Sequence, residues 1–184
     1  MLRLHQFLPY SLTNGPGTRA VIWLQGCSLR CPGCFNPETH SRTGGTLASV
    51  SDLVERIITL DSTIEGITIS GGEPLQQRQA LLALLQRVKR ETSLSVLLFT
   101  GYAWEEVQST AAGRELLRYI DVLIAGRYDR NQHLARGLRG SANKTVHFLS
   151  NCYTLEDLQI VPSAEIVIAL DGEVFISGID PMHW

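Results

Sequence analysis

The sequence has almost no excess of either charge. Sixteen Lys and Arg stand against eighteen Asp and Glu, a formal net charge of -2. No basic surplus argues for nucleic acid, and no block of like charges marks a solvated tail. Internal repeats and low-complexity tracts are absent as well. Residues Met1-Leu2-Arg3-Leu4-His5-Gln6-Phe7 lack the apolar core of a secretory signal. No apolar run reaches the length of a membrane span. Cysteine is scarce, with four residues. Three clustered thiols and one distant one, without a secretory signal, do not read as a disulfide framework. A cytoplasmic location is expected. At 184 residues, 44% hydrophobic and 18% charged, the chain is expected to form a single domain over 1-184 with a real core.

What is present centres on one stretch, Gln25-Gly26-Cys27-Ser28-Leu29-Arg30-Cys31-Pro32-Gly33-Cys34-Phe35-Asn36-Pro37-Glu38-Thr39-His40. It follows the apolar run Val21-Ile22-Trp23-Leu24, a predicted buried strand. Cys27, Cys31 and Cys34 therefore lie on the loop that leaves a strand end. Soft thiolates favour zinc or an iron-sulfur cluster. Three thiolates on a four-iron cluster leave one iron open, as catalytic metal sites do. A closed zinc site remains an alternative, with His40 or Cys152 as fourth ligand. Zinc sites more often use paired C-x2-C units. Otherwise Cys152 reads as a buried or incidental thiol.

The rest of the chain alternates strand and helix. Residues 2-8 read as a strand or edge element, followed by a turn at Asn14-Gly15-Pro16-Gly17. Ser51-Asp52 is expected to cap a helix, and Ile67 to Ser70 to form a strand. A helix is predicted over 77-90, a strand over 94-99, and one helix over 104-119 with Gly113 as a break. Strands follow at 121-125 and 145-149, separated by a polar loop over 126-143. Two apolar runs around Asp171-Gly172 predict a β-hairpin in the tail, about 160-184. The pattern is α/β with a mostly parallel sheet. It is too short for a closed eight-stranded barrel, so a partial, open (βα) barrel with a C-terminal β-hairpin is expected. Ligands in such sheets sit at the carboxyl ends of the strands.

A second motif stands at such an end. Ser70-Gly71-Gly72-Glu73-Pro74 lets backbone approach a ligand closely, and its glutamate can accept hydrogen bonds from an ammonium group. Thr100 and Arg127 close the next two strands.

The cysteine spacing and the Gly-Gly-Glu-Pro turn together resemble the radical S-adenosylmethionine (SAM) superfamily. Further segments resemble the activating enzymes of glycyl-radical enzymes, above all those serving anaerobic ribonucleotide reductase. They are Asn14-Gly15-Pro16-Gly17-Thr18-Arg19, Gln25-Gly26-Cys27, Cys31-Pro32-Gly33-Cys34-Phe35-Asn36-Pro37, Leu98-Phe99-Thr100-Gly101-Tyr102 and Arg139-Gly140-Ser141-Ala142-Asn143. The resemblance covers roughly residues 1-150. It implies a radical-SAM barrel, a [4Fe-4S] cluster on Cys27, Cys31 and Cys34, and S-adenosyl-L-methionine as cofactor. Its SAM contacts would come from Phe35, Ser70, Gly71, Gly72, Glu73, Thr100 and Arg127. It also implies reductive SAM cleavage to a 5'-deoxyadenosyl radical that takes hydrogen from a glycine of a partner enzyme. The electron donor would be a flavodoxin or ferredoxin, and no nucleic acid or membrane is involved. Three positions depart from the pattern: Asn14 replaces an acid, Gly33 an aromatic, and Ala125 an acid often found there. Other readings are a radical-SAM enzyme acting on a different peptide or small molecule, a non-catalytic SAM-binding iron-sulfur protein, and a zinc module. Arg19 is expected at the barrel mouth and His147 as a core or edge residue. His40, His133 and His183 are expected on the surface or in loops.

Overall fold

The computed structural model describes residues 1-168, 172 and 174-179. Its strands are β1 (Leu2–Ser11), β2 (Arg19–Leu24), β3 (Thr46–Ala48), β4 (Gly66–Gly71), β5 (Ser95–Thr100), β6 (Val122–Ala125), β7 (His133–Arg136), β8 (Arg139–Ser141), β9 (Thr145–Phe148), β10 (Ala164–Ile168) and β11 (Val174–Gly178). Its helices are α1 (Val50–Leu60), α2 (Arg78–Glu91), α3 (Trp104–Gln108), α4 (Ala111–Leu117) and α5 (Leu155–Gln159).

Seven strands form one sheet in the order β3-β1-β2-β4-β5-β6-β9. The four central strands, β2, β4, β5 and β6, run parallel. Their near-continuous Val, Ile and Leu runs suit strands buried on both faces. The flanking pairs β1-β2, β1-β3 and β6-β9 are antiparallel. The mixed α/β sheet thus has a parallel centre, as the sequence predicts, with antiparallel margins.

Alternation divides the strand side chains between two layers. Ile67, Ile69, Val96, Leu98 and Leu123 pack with Leu53, Leu81, Leu84, Leu85 and Leu116 of the helices. Leu97, Val122 and Ile124 form a smaller cluster on the other face with Leu138 and Leu158. Helices α1, α2 and α4 cover the first face, whereas only α5, through Leu158, packs on the second.

Two helix boundaries differ from the sequence reading. Ser49, not Ser51, caps α1: its hydroxyl accepts from Asp52 N at 3.0 Å. The expected helix over 104-119 is two helices, divided at Ser109-Thr110 rather than at Gly113. Thr110 Oγ1 accepts from Gly113 N at 3.0 Å and starts the second helix. A capping hydroxyl supplies the local alternative that ends the first helix.

Arg19 also differs. It opens β2, whereas Cys27 follows the far end of that strand. Five residue steps separate Arg19 from Leu24, roughly 16 Å. Arg19 is therefore not at the mouth. It is fully buried and donates only to neutral groups. These are Thr68 Oγ1 at 2.8 Å, Ser95 Oγ at 2.9 Å, Tyr153 Oη at 3.1 Å and the carbonyls of Pro16, Ile67 and Ser95. Burial lowers its pKa, since no carboxylate is bonded to it. The guanidinium ties β2, β4 and β5 to the segment carrying Tyr153. Arg19→Met is expected to cost about 3 kcal/mol by leaving buried acceptors unpaired. Thermal unfolding should show a melting point lower by about 6–12 °C for a chain this size. An unchanged melting point would refute the role.

The tail hairpin is present. β10 and β11 pair antiparallel, with Ile166 opposite Ile176 and Ile168 opposite Val174. Asp171 of its expected turn lies outside the described residues, as does His183. Glu165 ties the hairpin to the β1-β2 turn. It accepts from the Ser11 and Thr13 hydroxyls and from Leu12 N. The Asn14 side-chain amide donates to Ser177 Oγ at 2.6 Å. Among the described residues no helix is long and apolar enough to cross a membrane.

Candidate active site

The loop carrying Cys27, Cys31 and Cys34 is closed at its base by side chains. Gln25 Nε2 donates to the carbonyls of Glu38 and Ser41 at 3.0 and 2.8 Å. Gly26 N and Cys27 N donate to the carbonyls of Thr39 and His40. Gln77 Nε2 joins this base to β1 through the carbonyls of Arg3 and Gln25. Gln76 holds Ser28 through both backbone and hydroxyl.

The Gly-Gly-Glu turn is stitched to the same loop. Gly72 N donates to Leu24 O at 2.7 Å, and Glu73 N to Gly26 O at 2.9 Å. Gly71 has φ +98, and a Cβ there would meet the Leu24 backbone at 2.4 Å. A Cβ on Gly72 would meet Gly26 O at 2.4 Å. Only glycine allows this approach of two main chains. What the glycines bring close is thus the cysteine loop itself.

Glu73 is buried, and donors of its own chain occupy its carboxylate. Leu75 N at 2.9 Å and Thr100 Oγ1 at 2.8 Å reach Oε1, and Gly101 N at 2.7 Å reaches Oε2. Burial pushes its pKa up, while these three donors pull it down. Glu73 and Thr100 lock three strand-end segments together.

All three loop cysteines line one cavity of about 280 Å³, with Phe99 and Leu138 of the second face in its wall. Ser70, Gly71, Gly72, Glu73, Thr100 and Phe35 line it too. Phe35 packs against Tyr128 at 4.5 Å and His133 at 5.7 Å between ring centroids. His133 touches the Phe35 ring by its edge but is exposed, as expected, and is not in the cavity lining. Arg127 is outside this lining. It is paired with Glu106 at 2.7 and 3.1 Å on the surface. The cation lining the cavity is Lys144. It is half-buried, and its ammonium donates to Gly126 O. Burial lowers its pKa, opposed by Cys31, Glu73 and Cys34 nearby. His147 stacks on Trp104 at 4.0 Å, away from the cavity.

The donor set fits a cluster. Burial raises the Cys34 pKa, and Cys31 and Cys27 raise it further. A cationic centre beside Cys34 would favour its thiolate. His40 is half-exposed on the connection between β2 and β3, within the surface-or-loop expectation. It also lines the same cavity, and its buried Nε2 has no hydrogen-bond partner among the described residues. Among those residues no three His, Cys, Asp or Glu side chains are gathered around a single ion position. Cys152 is exposed rather than buried, beside the Ser150 hydroxyl. Its chain neighbour Tyr153 accepts from Arg19 at the other end of the strands. Cys152 is thus remote from the loop as a fourth ligand.

Residues 13–147 match the family model described as a 4Fe-4S single cluster domain. An anaerobic ribonucleoside-triphosphate reductase-activating protein of Vibrio cholerae is 37% identical over 155 residues, 79% of this chain and 97% of that protein. The protein of the same name from Enterobacteria phage T4 is 36% identical, covering 74% of this chain and 87% of its own. That of Escherichia coli K12 is 32% identical, covering 80% and 99%. The chain belongs to this activating-protein family. A solved structure of QueE from Escherichia coli aligns with a TM-score of 0.46 and 21% identity, over 54% of this chain and 52% of that one.

The stretch matched by the family model spans the cysteine loop, the Gly-Gly-Glu turn and Lys144, and ends before the hairpin. Sequence reasoning missed Gln77, Tyr128 and Lys144 as parts of this site. Lys144 carried a signal, since it adjoins the Arg139-Gly140-Ser141-Ala142-Asn143 segment. Gln25 stands in a recognised segment, although its role in closing the loop was not read.

Proposed function

We propose that this protein reductively cleaves SAM at a [4Fe-4S] cluster and takes hydrogen from a glycine of an anaerobic ribonucleotide reductase. The observation that carries this reading is the sharing of one cavity by three thiols and the Gly-Gly-Glu turn. The family membership and the names of the relatives support it.

Cys27, Cys31 and Cys34 would hold the cluster, whose chemistry when bound is transfer of one electron into the sulfonium of SAM. Ser70, Gly71 and Gly72 offer main-chain acceptors for the SAM ammonium. Glu73 and Thr100 fix that main chain from behind. Lys144, which lines the cavity where Arg127 does not, would pair with the carboxylate. Phe35 and Tyr128 give the adenine an apolar wall. The sheet is read as a partial, open barrel in a single domain over 1-184, with a cytoplasmic location and a flavodoxin or ferredoxin as electron donor. An open face admits a protein loop, which favours a macromolecular substrate over a small one.

The test is anaerobic reconstitution followed by SAM and a strong reductant. We expect about four irons per chain, as a cubane requires, with 5'-deoxyadenosine as product. Added reductase should acquire a glycyl radical signal. Iron without product in the presence of reductase would refute the proposal.

A further inference from the structure

β11 lines the cavity with consecutive residues, Phe175 to Gly178, and Ile179 follows. Successive side chains of a strand point to opposite faces. A cavity that meets every residue in turn is therefore meeting the strand's edge. That edge has no partner strand among the described residues, because β10 and β11 form a sheet of two.

The register shows which groups the edge presents. Ile179 N donates to Ser163 O at 2.9 Å. In an antiparallel pair, bonded and non-bonded positions alternate. Ser177 with Glu165 and Phe175 with Val167 are then the bonded pairs. Val174, Ile176 and Gly178 turn their N–H and C=O groups outward. Ile166, Ile168, Val174 and Ile176 also leave a strip of apolar side chains 47–71% exposed. An exposed two-stranded hairpin with an unpaired edge invites strand addition.

We infer that the free edge of β11 is a docking strand for an extended segment of the partner protein. The segment would add as a third strand and run into the cavity beside Cys27, Cys31 and Cys34. Strand addition bonds main chain to main chain, which suits a glycine, whose side chain offers no grip. An edge opening into the reaction cavity calls for a peptide, not a small molecule. This rests on the proposed function for the identity of the partner.

The test is amide hydrogen exchange on the reconstituted protein with and without purified anaerobic ribonucleotide reductase. The Val174, Ile176 and Gly178 amides are expected to slow at least about tenfold on binding. The Phe175 and Ser177 amides, already in the ladder, are the reference. Ile176→Pro removes one outward N–H and leaves the ladder intact. It should weaken association about tenfold, whereas Ile176→Val should bind as the wild type does. If Ile176→Pro fails to fold, the exchange result on the wild type decides alone. Equal exchange with and without reductase overturns the inference. So does protection in the free protein that grows with its own concentration, which would put a second copy on the edge. 5'-Deoxyadenosine made by the protein alone is read separately. Product with unprotected β11 amides overturns the docking strand and leaves the proposed function standing. Protection without product does the reverse.

Discussion

Replacing any one of Cys27, Cys31 or Cys34 with alanine is expected to bring 5'-deoxyadenosine formation down to background. The three thiols share one cavity wall, and a loop closed by Gln25, Gly26 and Cys27 holds them there. Losing an outer partner of a metal ligand already costs about 10–100-fold in metal affinity or activity. Losing a ligand outright exceeds that. No spare thiol is at hand, since Cys152 adjoins Tyr153, which accepts from Arg19 at the far end of the strands. Cys152→Ser therefore keeps full iron content and full SAM cleavage. Iron and product are measured together on each variant. Retained cleavage in any of the three alanine variants would sink the assignment. Loss of iron in Cys152→Ser would bring back a closed four-thiolate site.

The chemistry was legible in the sequence because each motif is local. The cysteine spacing and Ser70-Gly71-Gly72-Glu73 are short words at the ends of apolar runs, and both fall on one cavity. Strand and helix alternation gave the parallel centre of the sheet for the same reason. The supports were harder to see. Gln77 meets Arg3 across 74 residues and Gln25 across 52. No periodicity in a sequence marks such a pairing.

Arg19 and Arg127 differ from expectation for another reason. Arg19 follows a Gly-Pro-Gly turn, a pattern that suggests a site residue. Its place at the start of a parallel strand already puts it opposite the carboxyl ends where ligands sit. Arg127 does close a strand end, yet Glu106 from α3 lies within reach and takes it to the surface. Lys144 has no such competitor among its described contacts and lines the cavity instead.

Glu73→Ala should be the most damaging single change outside the cysteines. The carboxylate receives Leu75 N, Gly101 N and the Thr100 hydroxyl, all in a buried setting. Each donor left unpaired costs about 1–3 kcal/mol, less what local relaxation recovers. A net loss of about 3 kcal/mol corresponds to roughly 6–12 °C in melting point for a chain this size. The effect on function is larger, because Glu73 fixes the turn whose main chain is bonded to Leu24 and Gly26. Misplacement by about 1 Å costs on the order of a hundredfold in rate, so SAM cleavage should fall at least that far. The pH dependence has a definite sign. Burial raises the Glu73 pKa above its usual 4.5, so the folded protein holds that proton more tightly than the unfolded chain. The stability it contributes is fully present below the unfolded value and is lost as pH rises through the folded one. The gap in melting point between wild type and Glu73→Ala should therefore be widest in acid and narrow as pH rises. A gap that widens with pH would mean that the three donors outweigh burial. An unchanged melting point together with unchanged SAM cleavage would remove Glu73 from the site.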